Sequence, residues 1–315
     1  MKLSEALEQF LEARTAAGLK ATTLVWYRRR VGRFVSWADD LALEAVGVGT
    51  VRGFLASLRA QSQLYQSHTY KHPQAGGLSP LTIRGYGRAL RQFFNFLAGE
   101  GLTGGNLMAR IQLPKNGKPA PKGIPFEDVQ RLLKSVEGSD STERDRALVL
   151  FLTDTGCRVG GLIGLTWADV DLKRRVAFVT EKGDKTRPVF FSEGTREALL
   201  AWRGIWQEWD WAGDWVFPSH NTGEQLTVSG VNQVLKRLKK RAGVTGRANP
   251  HSFRHGFAKD YLMAGGDLAS LADLMGHESV ETTKSFYAVF EQDDLRRKHD
   301  EFCAVRCGKS VQSYR

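Results

Sequence analysis

The sequence predicts a mainly α protein, with an N-terminal helical bundle followed by a C-terminal, mainly helical domain that carries a small antiparallel β-sheet. Three observations predict it. Apolar residues recur at three- and four-residue spacing through most of the chain. One stretch rich in proline and lysine interrupts that pattern at residues 112–125. Two short β-type runs then flank a glycine-containing turn near residue 183. At 315 residues the chain is too long for one small core, so two domains are the default.

The first third reads as helices. Leu3, Leu7, Phe10 and Leu11 share one helical face, as do Leu24, Tyr27, Val31, Phe34 and Val35. Val51, Phe54, Leu55 and Leu58 mark a shorter third helix. Ser79 and Pro80 supply an N-cap and a first-turn proline for a fourth, which turns Ile83, Tyr86, Leu90, Phe93, Phe94 and Leu97 inward. Between the third and fourth helices, QSQLYQSHTYKHPQAGG is polar and ends in glycines, and reads as a mobile loop. Its His68 and His72 fit loop positions better than ligand positions.

The segment QLPKNGKPAPKGIP, residues 112–125, holds four prolines, three lysines and two glycines, which neither a helix nor a sheet accommodates. It reads as a stiff, positively charged linker between a domain at 1–111 and one at 126–290, with a tail at 291–315. Extended, about 14 residues reach tens of Å, enough for two domains to clasp a duplex from opposite sides. In the second domain helices are predicted at 126–136, 143–155, 193–210, 228–242, 250–264, 267–275 and 279–286, with a last one over 291–305. Strands are predicted at 174–180 and 187–191, joined by the turn 181–185. The tryptophans of AWRGIWQEWDWAGDW, residues 201–215, read as core and helix-face packing.

Composition narrows the class. A hydrophobic content of 42% and a charged content of 25% are ordinary for a globular protein. The longest apolar run, Ala147 to Leu152, is far too short for a bilayer. The opening MKLSEALEQF carries acids where a secretory leader is apolar, so a cytoplasmic protein without membrane contact is expected. Three cysteines argue against a disulfide framework, and Cys303 and Cys307 fit a helical tail carrying two thiols. The net charge is +11, and it is uneven. Residues up to Lys115 hold 15 basic and 7 acidic side chains, or +8, against 30 and 27 afterwards, or +3. Arg28, Arg29 and Arg30 run together on the second helix, and Arg84, Arg88 and Arg91 form a stripe on the fourth. With Lys115, Lys118 and Lys122 of the linker, they suggest a surface that faces a polyanion, a solvated basic face being the alternative.

Four separated segments of the second domain each offer a group suited to a phosphate. TGCRVGGLIGLTW offers Arg158, EKGDKTRPV offers Lys182, PHSFRHG offers His251 and Arg254, and LMGHESVETTKSFY offers His277 and Tyr287. Read singly, Arg158 fits a helix-cap cation, Lys182 a hairpin lysine, His277 a cap, and Tyr287 a half-buried aromatic. Asn249 caps the helix that starts at Pro250, and His251 and Arg254, three apart, share one of its faces. Zinc is the rival for these histidines. His251 and His255 have two-ligand helical spacing, but Ser252 stands where the metalloprotease pattern needs glutamate, and no nearby acid or cysteine completes a tetrahedral set. No metal is expected, and a two-metal nuclease lacks its clustered carboxylates.

Together these motifs resemble the tyrosine recombinases, the integrase and Xer-type site-specific DNA recombinases. The resemblance rests on T-G-x-R at 155–158, K-G-x-K-x-R at 182–187, H-x-x-R at 251–254, L-M-G-H at 274–277 and T-T-x-x-x-Y at 282–287, in family order behind a basic bundle and linker. It implies a core-binding domain at 1–111, a catalytic domain at 126–290, and a C-terminal helix that packs on a neighbouring protomer. It implies site-specific cleavage and rejoining of double-stranded DNA through a 3′-phosphotyrosyl intermediate at Tyr287, without metal, ATP or other cofactor. Arg158 and Arg254 would neutralise the charge of the pentacoordinate phosphorus, because guanidinium binds phosphate oxygens bidentately and stays charged. His251 and His277 would donate hydrogen bonds or move protons, His255 would pack behind them, and Lys182 would protonate the leaving 5′-oxygen. A homotetramer on two synapsed sites is implied, with room for accessory proteins. Two positions depart from the pattern. Gly161 stands where the family has an acidic residue, which leaves the orientation of Arg158 in question, and Val289 stands where many members have histidine. A type IB topoisomerase-like relaxing enzyme, or a catalytically weak DNA-binding regulator with the same fold, are the alternatives.

Overall fold

The computed structural model describes residues 1–64, 72, 74–113, 123–137, 141–181, 183–209, 211–276, 294 and 296. The chain divides into two compact units, Met1–Gly117 and Lys118–Arg315.

The first unit is a helical bundle of α1 (Leu3–Ala16), α2 (Ala21–Trp37), α3 (Val48–Ala60) and α4 (Pro80–Gly99). The apolar stripes meet in a core of phenylalanines. Phe10 sits edge-on to Phe93 at 5.6 Å, and Phe34 edge-on to Phe54 at 5.3 Å. Ser79 Oγ accepts from the Thr82 N–H at 3.2 Å, and Pro80 occupies the first turn of α4, where a missing N–H costs nothing. The region between α3 and α4 contains a feature the loop reading missed. Two-residue strands β1 (Gln63–Leu64) and β2 (Gln74–Ala75) pair antiparallel, too short for any alternation to announce them.

The second unit packs α5 (Phe126–Ser135), α6 (Thr142–Thr155), a short α7 (Val159–Ile163), α8 (Glu193–Trp206), α9 (Val228–Arg241), α10 (Pro250–Met263) and α11 (Leu268–Met275) around a sheet. The strands β3 (Val170–Asp171), β4 (Val176–Thr180) and β5 (Thr186–Phe190) run antiparallel in that order. The hairpin closes with Thr180 opposite Thr186, and the Glu181 N–H donates to the Lys185 carbonyl at 3.0 Å. Gly183 at φ +86 and Asp184 at φ +55 make the reversal.

Helix α6 runs through the middle, with buried residues on all its faces, among them Leu148, Phe151 and Leu152. It also buries an ion pair. Asp145 Oδ1 accepts from Arg144 Nη2 at 2.7 Å, and Oδ2 accepts from Arg237 Nη2 at 3.1 Å, so the charge taken out of water is matched. The tryptophans of α8 and the following turn pack as expected from their spacing, apart from the exposed Trp209. Trp202, Trp206 and Trp211 donate their indole N–H to the carbonyls of Val216, Trp215 and Trp206. The predicted helices at 279–286 and 291–305 lie outside the described residues, except for Asp294 and Arg296.

Candidate active site

Two left-handed glycines build the site. Helix α6 ends at Gly156, φ +55, a conformation glycine adopts without a Cβ penalty. A Cβ there would also lie 2.6 Å from the Phe257 ring, so glycine is needed twice over. The turn it makes delivers Arg158 to the N-cap of α7. Helix α11 ends the same way at Gly276, φ +61, where a Cβ would lie 2.6 Å from Arg187 Cδ.

The last three carbonyls of the α11 end each accept from a different arginine. Arg187 Nη1 donates to Leu274 O at 2.6 Å, Arg254 Nη2 to Met275 O at 2.6 Å, and Arg158 Nη2 to Gly276 O at 3.4 Å. The carbonyl end of a helix leaves orphan acceptors with partial negative charge, so it gathers cations. Arg254 is 5% exposed, and its Nη1 donates to Gly156 O at 2.7 Å. Burial lowers its pKa to about 10, the Arg158 and Arg187 charges acting in the same direction and Glu181 against them. The guanidinium is therefore still protonated at neutral pH.

Glu181 joins two of the three cations. Its Oε1 accepts from the Arg158 backbone N–H at 3.0 Å and from Arg187 Nη2 at 3.0 Å, and its Oε2 from Arg158 Nη1. The carboxylate is 4% exposed. Burial pushes its pKa up, but hydrogen bonds from Arg187 and the Arg158 backbone, with the charges of both arginines, outweigh that and hold it below the ordinary value.

The N-terminal end of α10 contributes His251, exposed, and the buried Arg254. Asn249 Oδ1 accepts from the Ser252 N–H at 3.0 Å while Ser252 Oγ accepts from the Asn249 N–H at 2.9 Å, a reciprocal cap that fixes the start of the helix. His255, one turn on, is half-buried, and its pKa is lowered by burial, then by His251 and Arg254. Gly256 follows because the incoming chain crosses there. The Ile124 N–H donates to Ser252 O at 2.9 Å, and a Cβ on Gly256 would lie 2.8 Å from Ile124 O.

Of the six candidate catalytic residues, Arg158 and Arg254 converge on α11, and His251 starts the helix that carries Arg254. Lys182, His277 and Tyr287 lie outside the described residues. Glu181 and Arg187 were missed. Their signal was strand alternation. Ala177 and Val179 are buried on β4, which puts 181 on the same side, and Arg187 pairs with Val179 across the hairpin. Among the described residues, no group of three or more His, Cys, Asp or Glu side chains could hold a metal ion. Cys157 is buried, which pushes its thiol pKa up to about 11 and makes it a poor nucleophile.

In the first unit the candidate DNA-contact arginines separate into two groups. Arg28 is taken up by Glu8, its Nη2 donating to Oε2 at 2.8 Å, and Arg30 lies over the Trp26 ring at 4.3 Å. Arg29, Arg84, Arg88 and Arg91 are exposed, although Arg91 Nη2 also donates to Ile111 O at 3.4 Å. Arg88 and Arg91 line a groove of about 640 Å³ with Thr22, Thr23 and Gln92. Lys115, Lys118 and Lys122 lie outside the described residues. Among the described residues, no helix is long and apolar enough to cross a membrane.

Residues 122–293 match the phage integrase family. The chain is 32% identical over 311 residues to tyrosine recombinase XerD of Brucella suis, covering 93% of this chain and 95% of that protein. It is 30% identical over 295 residues to tyrosine recombinase XerD of Listeria monocytogenes, covering 90% and 94%. The fold is shared with XerH site-specific recombinase bound to palindromic difH substrate, at TM-score 0.70 and 19% identity over 91% of this chain and 82% of that one. It is also shared with the Tn1549 transposon integrase in complex with transposon right end DNA, at TM-score 0.71 and 19% identity over 96% and 100%.

Proposed function

The chain belongs to the phage integrase family, and on that premise we propose that it cuts and rejoins DNA through Tyr287, in a pocket built around Arg158 and Arg254. It is a tyrosine-type site-specific DNA recombinase, in keeping with relatives named tyrosine recombinase XerD, and its partner is double-stranded DNA, in keeping with fold neighbours solved on their DNA sites. The relaxing enzyme and the regulator are not favoured by those relatives.

The observation that supports this reading most is the convergence of Arg158 and Arg254 on adjacent carbonyls of α11. Backbone acceptors hold both guanidiniums in place before any substrate arrives, so little reorganisation remains when charge develops on phosphorus. In this reading the two arginines take the non-bridging oxygens of the scissile phosphate. The Tyr287 oxygen attacks phosphorus, and the bond to the 5′-oxygen breaks as that oxygen takes a proton from Lys182. His251 and His277 receive and return the tyrosine proton. The phosphotyrosyl bond conserves the energy of the broken linkage, so a second 5′-hydroxyl reverses the step without ATP. The exposed arginines of α2 and α4 and the lysines of 112–125 bind the duplex backbone, residues 126–290 carry the chemistry, and residues 291–315 link protomers in a tetramer on two sites.

A duplex nicked just 3′ of the scissile phosphate, which on cleavage loses the short fragment carrying the freed 5′-hydroxyl, tests the assignment. Wild type should accumulate a covalent adduct on it, and Tyr287→Phe should accumulate none while shifting the same duplex in a gel. Adducts that persist in Tyr287→Phe overturn it.

A further inference from the structure

Helix α7 meets strand β4 through Gly161. A Cβ there would lie 3.0 Å from Val179 Cβ and 3.5 Å from Glu181 Cγ. The space beside residue 161 is therefore taken up from across the interface, first by Val179 and next by the side chain of Glu181. That carboxylate accepts from the Arg158 backbone N–H, Arg158 Nη1 and Arg187 Nη2, as described above. Arg187 in turn donates to Leu274 O, one residue from the carbonyl that holds Arg254.

We infer that Glu181 is the positioning residue of this active site, supplying from the end of β4 the carboxylate that the glycine at 161 leaves out of α7. The inference rests on the recombinase reading above and assigns a role within it. Three geometric facts carry it. The carboxylate is nearly inaccessible to solvent, so it is not a surface ion pair that water screens. It holds Arg158 at both ends, by backbone and by guanidinium, which fixes the side chain's direction as well as its charge. And α7 lies so close to β4 that a side chain at residue 161 would press on Val179 and touch Glu181. Glu181 touches no substrate in this scheme. It acts through Arg158, and a guanidinium misplaced by about 1 Å costs on the order of 100-fold in rate.

The test is single-turnover cleavage of the nicked duplex by Glu181→Gln at saturating DNA, well below the melting temperature of either protein. The amide keeps the shape and loses the charge. The cleavage rate should fall by roughly 10- to 100-fold, with the DNA dissociation constant within about threefold of wild type. An unchanged rate overturns the inference, as does a loss that appears only as weaker DNA binding. If the amide variant does not fold, Glu181→Asp, which keeps the charge with shorter reach, is judged on the same two measurements. The adduct formed by wild type is scored first. Its absence sinks the recombinase reading, whereas a normal adduct with an unaffected Glu181→Gln sinks only the role of Glu181.

Discussion

Arg158 and Arg254 donate to neighbouring carbonyls, Gly276 O and Met275 O, although they come from an α7 N-cap and from the N-terminal end of α10. The end of α11 is thus the jig that sets their spacing. Arg254 is pinned a second time by Gly156 O, the residue whose left-handed turn releases Arg158. A lysine at 254 keeps a positive charge but cannot span two acceptors as a rigid fork does. Arg254→Lys should therefore bind DNA normally and cleave the nicked duplex at least about 100-fold more slowly. Cleavage at the wild-type rate would show that pre-set geometry is not what this arginine provides.

Much of this arrangement could be read from the sequence. The helices expected at 143–155 and 267–275 stop just before Gly156 and Gly276, where the structure has left-handed caps. Asn249 and Pro250 announced their helix start, whereas the return bond from Ser252 was not read. The unread part is tertiary. Nothing local says that α7 lies against β4, so Gly161 read as a missing carboxylate and Glu181 as an ordinary turn residue. Only alternation continued past Val179 would have turned Glu181 inward. The three carbonyls of α11 were invisible for a similar reason, since backbone acceptors carry no sequence signature. The strands β1 and β2 were missed because two residues cannot display a period.

Gly256 gives a prediction whose sign is diagnostic. In an isolated helix, replacing an interior glycine by alanine stabilises by about 1 kcal/mol. Here the new methyl would sit 2.8 Å from the Ile124 carbonyl and 3.3 Å from Ile124 Cγ2, against a backbone already hydrogen-bonded to Ser252. Overpacking of that kind costs about 1–3 kcal/mol. Gly256→Ala should melt below wild type in a thermal scan. A higher melting temperature would mean that the crossing chain yields freely.

Glu181 makes stability depend on acid in a definite direction. Its folded-state pKa lies below the ordinary 4.5 because Arg187 and Arg158 favour the ionised form. The stabilisation is then fully present above the unfolded pKa and drains away as pH falls through the folded one. The melting-temperature gap between wild type and Glu181→Gln should be widest near about pH 7 and narrow steadily below roughly pH 4.5. A gap that is flat, or that widens in acid, would contradict the bonds drawn around this carboxylate.

The groove between α2 and α4 separates two explanations of the basic first unit. Arg28 is neutralised by Glu8, and Arg30 is spread over Trp26, so neither is the best judge of DNA contact. Arg88 and Arg91 are exposed on the groove wall beside Thr22 and Thr23, whose hydroxyls suit phosphate oxygens. Each phosphate contact releases condensed counterions, so losing one lowers the slope of log K against log salt by about 0.9. Arg88→Ala together with Arg91→Ala should therefore weaken binding to specific and unrelated duplexes alike, and reduce the salt slope by roughly two. A slope equal to that of wild type would make this stripe a solvated face and place the duplex on another side of the bundle.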